Sequence, residues 1–284
     1  MRSPVTWRRC RTKCEVGGNF TAYNLPVRHS LPRHHLHART APGSARKIGL
    51  ARALSKLGFC SRTRAAELIR AGRVSLRGNL RRDPETPVRL GLDPIEVDGR
   101  TIAPAEKAYL MLNKPRGVVT TASDEKGRAT VYEYLDARSA WISPVGRLDQ
   151  ASEGLLLLTN DSEWAARLLA PETHLEKTYH VQIAALANPV FLESLARGVR
   201  DGSDVLRVKR ANLLRAGQRN SWLEVILEEG KNRHIRRMLE GLKVDVLRLV
   251  RVGIGPLALG NLPKGRCRLL TASEKLALDR SVGR

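Results

Sequence analysis

Residues 146–161 read GRLDQASEGLLLLTND. The four leucines at 155–158 lie between Gly154 and a polar turn. That run is too short for a helix and is bounded by turn signals, so it predicts a buried strand. Just upstream, a polar loop carries a carboxylate, Asp149, between Gly146-Arg147 and Ser152-Glu153-Gly154. A loop anchored by a buried strand is where catalytic groups are held in place. A half-buried carboxylate there calls for a cationic partner, since burial disfavours the charged form. Glu153 and Asp161, the other acids of the stretch, read as loop-shaping residues.

Working outward, YLMLNKPRGVVTT (109–121) reads as strand, turn, strand, punctuated by Pro115 and Gly117. SEWAARLLAP (162–171) is a helix with Ser162 as its cap and Pro171 beyond its end. KTYHVQI (177–183) alternates as a strand, and NPVFLESLARGV (188–199) is a helix stopped at Gly198. SWLEVILEEG (221–230) is a strand, GKNRHIRRMLEGL (230–242) a basic helix with its entry loop, and VLRLVRVGIGPL (246–257) a strand pair. Helices and strands interleave without a strict βαβ beat. The expected fold is therefore α+β, with a mixed, largely antiparallel sheet flanked by helices.

The chain of 284 residues has 50 Lys and Arg against 28 Asp and Glu, a formal charge of +22. Such an excess predicts a polyanionic partner, because neutralising phosphates releases their counterions. No apolar run approaches the roughly 18 residues of a membrane span, so nucleic acid is favoured over a membrane. Hydrophobic residues make up 42% of the chain and aromatics 4%, which predicts a folded protein with a mainly aliphatic core. Cys10, Cys14, Cys60 and Cys267 follow no metal-site spacing, and neither do His29, His34, His35 and His37. They read as free thiols in a reducing compartment, with no metal.

Three segments follow. Residues 1–45 are rich in Arg, His, Pro and Ser and form a disordered basic extension: a transit peptide, an RNA-binding arm, or the product of an upstream start codon. The expected location is cytoplasmic, or organellar if this extension is a transit peptide. Residues 46–105 form a small helix-rich unit. A helix in IGLARALSKLG (48–58) ends at Gly58, and Ser61 caps a second one in TRAAELIRAG (63–72). RVSLRGNL (73–80) is a strand with a turn at Gly78-Asn79, and DPIEVDGR (93–100) a strand with an Asp-Gly turn. Arg62, Arg64, Arg70, Arg73 and Arg77 gather there with few acids between them, which points to phosphate contact. Residues 106–284 form a second, larger unit. Its second basic cluster, EGKNRHIRRML (229–239), holds Lys231, Arg233, Arg236 and Arg237. Arg233 and Arg237 share a helix face at i, i+4, while Arg236, following Ile235, turns inward.

LARALSKLGFCSRTRAAELIRAGRVSLRG followed by IEVDG resembles the RNA-binding module named after ribosomal protein S-four. GRLDQASEGLLLLTND, LNKPRG, EKTYHVQI and EGKNRHIRRML, in their order along the chain, resemble the motifs of a pseudouridine synthase of the branch that modifies ribosomal RNA. His234 and Lys231 depart from it, where glutamine and arginine are common. The resemblance implies that Asp149 is the essential aspartate, Tyr179 the residue that stacks on the target base, and Arg236 the basic partner of the aspartate. It implies base flipping, no cofactor and no metal, because the isomerisation changes energy little. Arg62, Arg64, Arg70, Arg73, Lys114, Arg147, Lys231, Arg233 and Arg237 are the expected RNA contacts. His174, His180 and His234 are expected as RNA contacts or strand-surface residues. The expected function is isomerisation of a uridine in ribosomal RNA, with a lean to the large subunit, by a monomer acting on rRNA or a precursor particle. A non-catalytic RNA-binding or assembly factor is the alternative, and a base-removing glycosylase fits fewer motifs.

Overall fold

Ser61 accepts a hydrogen bond at its Oγ from the Arg64 amide, 3.1 Å away, and so begins helix α2 (Arg62–Arg70) where the sequence placed a cap. The computed structural model describes residues 47–283 apart from 123 and 136–139; the extension, with Cys10, Cys14 and its histidines, lies outside the described residues. The first helix, α1 (Leu50–Lys56), starts later than its sequence pattern suggests, because Lys47–Gly49 pairs as a short strand with Pro87–Arg89. The two helices bury Leu50, Ala53, Leu54, Leu68 and Ile69 against a four-stranded sheet made of Val74–Leu76, Asn79–Arg81, Ile95–Val97 and Arg100–Thr101. Its first hairpin turns at Arg77-Gly78, one residue before the expected Gly78-Asn79. Both turn residues have positive φ, 53° and 76°, which suits the right-handed twist of the strands.

The second unit is built on a larger sheet. Its strands are β1 (Tyr109–Lys114), β2 (Glu153–Thr159), β3 (Lys177–Ile183), β4 (Arg210–Ala216), β5 (Ser221–Leu227), β6 (Val246–Ile254) and β7 (Cys267–Leu269). They lie in the order β4-β5-β3-β6-β2-β1-β7, and the short strands Ser143–Val145 and Leu257–Ala258 pair with β2 and β6. Only the β2–β6 pair is parallel along this path, so the sheet is mixed and largely antiparallel. Helices α3 (Ser162–Leu169), α4 (Pro189–Arg197), α5 (His234–Gly241) and α6 (Ala272–Ser281) flank it.

All seven residues of β2 are buried. Leu156 and Leu158 enter one core with Leu110, Leu112 and Val181, whereas Leu155 and Leu157 enter another with Trp164, Leu168 and Leu278. A strand covered on both faces explains why four leucines run without alternation. Each buried leucine contributes roughly 1.5–3 kcal/mol of transfer free energy, which makes β2 a firm anchor for the loop before it.

Some expectations need correction. GVVTT (117–121) is no strand; Val119 makes one isolated bridge with Thr130. The cap of α3 is Asp161 rather than Ser162, with its carboxylate accepting from the Glu163 and Trp164 amides, each at 3.2 Å. The same carboxylate receives Lys107 Nζ at 2.8 Å and the Tyr109 hydroxyl at 3.0 Å, so Asp161 ties β1 to α3. Strands β4 and β7 and helix α6 were not foreseen. Most of β4 is exposed, so it carries no burial pattern to find.

Candidate active site

The loop 146–152 reaches the sheet at Gly154, and the register there is what assembles the site. Gly154 on β2 pairs with Arg251 on β6, and Arg251 pairs with Tyr179 on β3. Three neighbouring strands thus set Gly154, Arg251 and Tyr179 in one row, spanning about 10 Å at the usual strand spacing. Gly154 has φ of +102°, and a Cβ there would lie 2.2 Å from the Arg251 carbonyl oxygen and 2.8 Å from its amide nitrogen. Glycine is required because the two backbones touch.

A cleft of about 350 Å³ opens beside this row. Asp149, Tyr179, Lys177 and Arg251 line it, together with Arg147, Lys231, Arg233 and the apolar side chains Leu157, Leu168, Leu227 and Leu249. Among the described residues Asp149 is its single acid, set among the five cations Arg147, Lys177, Lys231, Arg233 and Arg251. Among the described residues the Asp149 carboxylate has no hydrogen-bond donor and no ion-pair partner, so it is left bare towards the cleft. Tyr179 is 9% exposed and its ring forms part of the apolar core. A bare carboxylate held between apolar walls and surrounding cations can act as a nucleophile or as a base.

The loop that presents Asp149 is gripped from beneath by Lys114. This side chain is fully buried, and its Nζ donates to the carbonyl oxygens of Ser152 (2.8 Å), Pro115 (3.0 Å) and Asp149 (3.1 Å). Burial pushes its pKa down to about 8, opposed by the charges of Asp149 and Glu153. Its ammonium has three protons and three carbonyls to receive them. Lys114 was expected among the RNA contacts, and burial corrects that: no phosphate reaches it.

Arg236 was expected as the ion-pair partner of Asp149. Instead its terminal nitrogen donates to the Ala151 carbonyl at 3.0 Å, so it too holds the loop by its backbone. Burial lowers its pKa, and the Asp149 charge works the other way, so the two groups sense each other without touching. Arg237 does not share an RNA-facing surface with Arg233. It is ion-paired with Asp201 and approaches Asp204 at 3.6 Å, fastening α5 to the hairpin of Val199–Asp201 and Asp204–Leu206. Arg233 is exposed in the left-handed conformation at the start of α5, and Arg147 is exposed at the cleft; neither has an ion-pair partner among the described residues. Lys231 sits 3.8 Å from both Asp204 and Glu229. In the small unit, Arg62 and Arg70 are exposed and unpaired among the described residues, while Arg64 is engaged by Glu67 at 2.8 Å and Arg73 by Asp98. Asp98 raises the pKa of Arg73 through a direct hydrogen bond. His234 is buried, 3% exposed, in the cleft wall rather than on the outer surface, and burial pushes its pKa down.

Lys177 and Arg251 were not among the expected site residues. Lys177 and Tyr179 are two apart on one strand and so share a face, a signal that was available. Glu153 is buried against Arg248 and Lys264; burial alone would raise its pKa, but these two cations hold it below the usual range.

The RNA pseudouridylate synthase family model matches residues 108–241, and the S4 domain model matches residues 48–93. Ribosomal large subunit pseudouridine synthase B of Bacillus subtilis (strain 168) is 36% identical over 227 residues, covering 79% of this chain and 93% of its own length. The chain belongs to the RNA pseudouridylate synthase family. An uncharacterized RNA pseudouridine synthase of Aquifex aeolicus (strain VF5) is 35% identical, over 81% of this chain and 93% of its own. A crystal structure of a pseudouridylate synthase superposes with a TM-score of 0.57 at 28% identity, covering 81% of this chain and 99% of the other. The synthase's matched segment contains Asp149, Tyr179 and Arg236 and ends with α5, so Arg251 lies beyond it. Among the described residues no helix of this synthase is long and apolar enough to cross a membrane.

Proposed function

We propose that this synthase converts a uridine of ribosomal RNA, in the large subunit, to pseudouridine, with Asp149 as the essential carboxylate. The observation that carries this reading is the bare Asp149 carboxylate, the single acid among the described residues of a cleft walled by Tyr179 and leucines. The name of the Bacillus relative supports the choice of subunit. The target nucleotide leaves its stack and enters the cleft, where Tyr179 offers its ring to the base. The glycosidic bond breaks, the uracil turns, and it rejoins the sugar through carbon five. Lys114 and Arg236 position Asp149 by holding the carbonyls of residues 149, 151 and 152. Arg147 and Arg233, exposed at the cleft, take the flanking phosphates, and Arg62 and Arg70 of the S4 domain bind RNA farther out.

The test is direct. Native protein and Asp149→Asn are incubated with large-subunit rRNA transcripts, and pseudouridine is mapped by carbodiimide labelling and primer extension. The native protein is expected to create one new stop that Asp149→Asn does not. No new stop on any rRNA, or full activity in the variant, rejects the assignment.

A further inference from the structure

Arg251 has a place in the cleft that the reaction outlined above leaves unused. It is 6% exposed, in the middle of the Gly154–Arg251–Tyr179 row. Its Nε donates to the Leu155 carbonyl at 2.7 Å, so β2 itself fixes the plane of the guanidinium. One terminal nitrogen is buried and has no hydrogen-bond partner among the described residues. A buried guanidinium nitrogen without an acceptor costs the fold free energy, and such a group calls for a ligand. Because Arg251 lines the cleft, that ligand is whatever enters it. Lys177, also in the lining, lies near enough for the Arg251 charge to add to burial in lowering its pKa. Two cations crowded on an apolar floor favour an anion between them.

Two anions accompany the substrate: the phosphates of the RNA backbone and the base itself once it is detached. Phosphates stay at the rim, where the exposed Arg147 and Arg233 wait, whereas the base goes to the floor. When the C1′–N1 bond breaks with its electron pair left on uracil, negative charge spreads over N1, O2 and O4. The base then bonds to C1′ through C5; one proton leaves C5 and one arrives at N1, so product and substrate have the same atoms. The geometry points to Arg251 as a catalytic residue that donates a hydrogen bond to a carbonyl oxygen of the detached uracil, with Lys177 adding to the field. Arg251 gains strength as charge develops on that oxygen, which is how a preorganised donor lowers a barrier. The inference rests on the pseudouridylation reading and adds the recognition of the leaving base to it.

The experiment compares native protein, Arg251→Lys and Arg251→Gln on the large-subunit rRNA transcript that the native protein modifies. Single-turnover rates are taken at saturating protein, alongside RNA affinity over a salt series and the melting temperature of each protein. Loss of one such donor is expected to slow the saturated rate roughly 10²–10³-fold, with RNA affinity and its salt slope unchanged within threefold. A saturated rate within threefold of native overturns the inference, as does a variant whose rate is native at saturation but whose affinity and salt slope fall, since that marks a phosphate contact. A native protein that modifies no RNA fails the function reading instead, a distinct result. Should neither variant fold, binding to the native protein decides. 6-Azauracil, a uracil isostere that ionises near neutral pH, is expected to bind at least tenfold tighter as its anion than uracil does at the same pH. Equal binding of the two, or none, overturns the inference.

Discussion

Replacing Lys114 by methionine keeps the length and bulk of the side chain and removes its charge and donors. Three carbonyls are affected, but not equally. The Asp149 carbonyl keeps a second donor, the Ser152 amide at 3.0 Å, whereas those of Pro115 and Ser152 lose the lysine. The Ser152 carbonyl is buried and the Pro115 carbonyl half-buried, so leaving both bare costs at most about 2–6 kcal/mol. Against this, the fold no longer buries an ammonium whose pKa falls from 10.5 to about 8, a relief of about 3 kcal/mol at 1.36 kcal/mol per unit. The net loss of stability therefore stays below about 3 kcal/mol. Catalysis should suffer far more, because the freed loop carries Asp149, and a displacement of about 1 Å in a reacting group costs on the order of 10²-fold. Urea unfolding and single-turnover pseudouridine formation at saturating protein measure the two quantities separately. A Lys114→Met rate within threefold of native would refute the idea that lysine positions the carboxylate. A rate that falls only in proportion to the folded fraction would do the same.

Alkaline pH offers a gentler version of that perturbation. As pH rises through about 8, Lys114 sheds a proton and two donors must serve three carbonyls, so the rate should fall with a limb near 8 that moves upward in Lys114→Arg. Between about 8 and 10.5 the unfolded chain binds the extra proton, so this group makes stability rise with pH while activity falls; parallel declines would contradict the assignment. Gly154→Ala should destabilise by about 2–6 kcal/mol, combining strain at φ of +102° with the clash on the Arg251 backbone; a urea midpoint equivalent to less than 1 kcal/mol would rule out the close approach. Arg62→Gln and Arg70→Gln should each lower the salt slope of RNA binding by about 1, and Arg73→Gln by less than half as much, because Asp98 already holds that charge. Arg237→Ala should lower the melting temperature by several degrees and leave RNA affinity within twofold, since its partners are Asp201 and Asp204; tenfold weaker RNA binding at an unchanged melting temperature would return it to the RNA surface.

Much of the fold was legible because its decisive elements carry one-dimensional signals. The leucine run announced a buried strand, Ser61 announced α2, and the alternation of KTYHVQI announced β3. Strand β4 was not legible, since RANLLRA is mostly exposed and no burial pattern marks it. For α3, Asp161 and Ser162 are both good caps, and the choice fell to Asp161, whose carboxylate also meets Tyr109 on β1 and Lys107 just before that strand. The notable acid Asp149 and the presence of two basic clusters needed no structure to find.

The charges divide in the same way. By itself the sequence determined where the loop, the buried strand and the arginines lie along the chain, because period, punctuation and composition are local properties. Only the tertiary structure decided what each cation does. Lys114 and Arg237 look in the sequence like Arg147 and Arg233, yet two are consumed by carbonyls and carboxylates and two are left exposed. Arg251 was one more arginine in a strand until pairing set it between Gly154 and Tyr179. A cation's role depends on its burial and on the acceptors within about 3 Å, and those come from residues far away in sequence that only the folded sheet brings together.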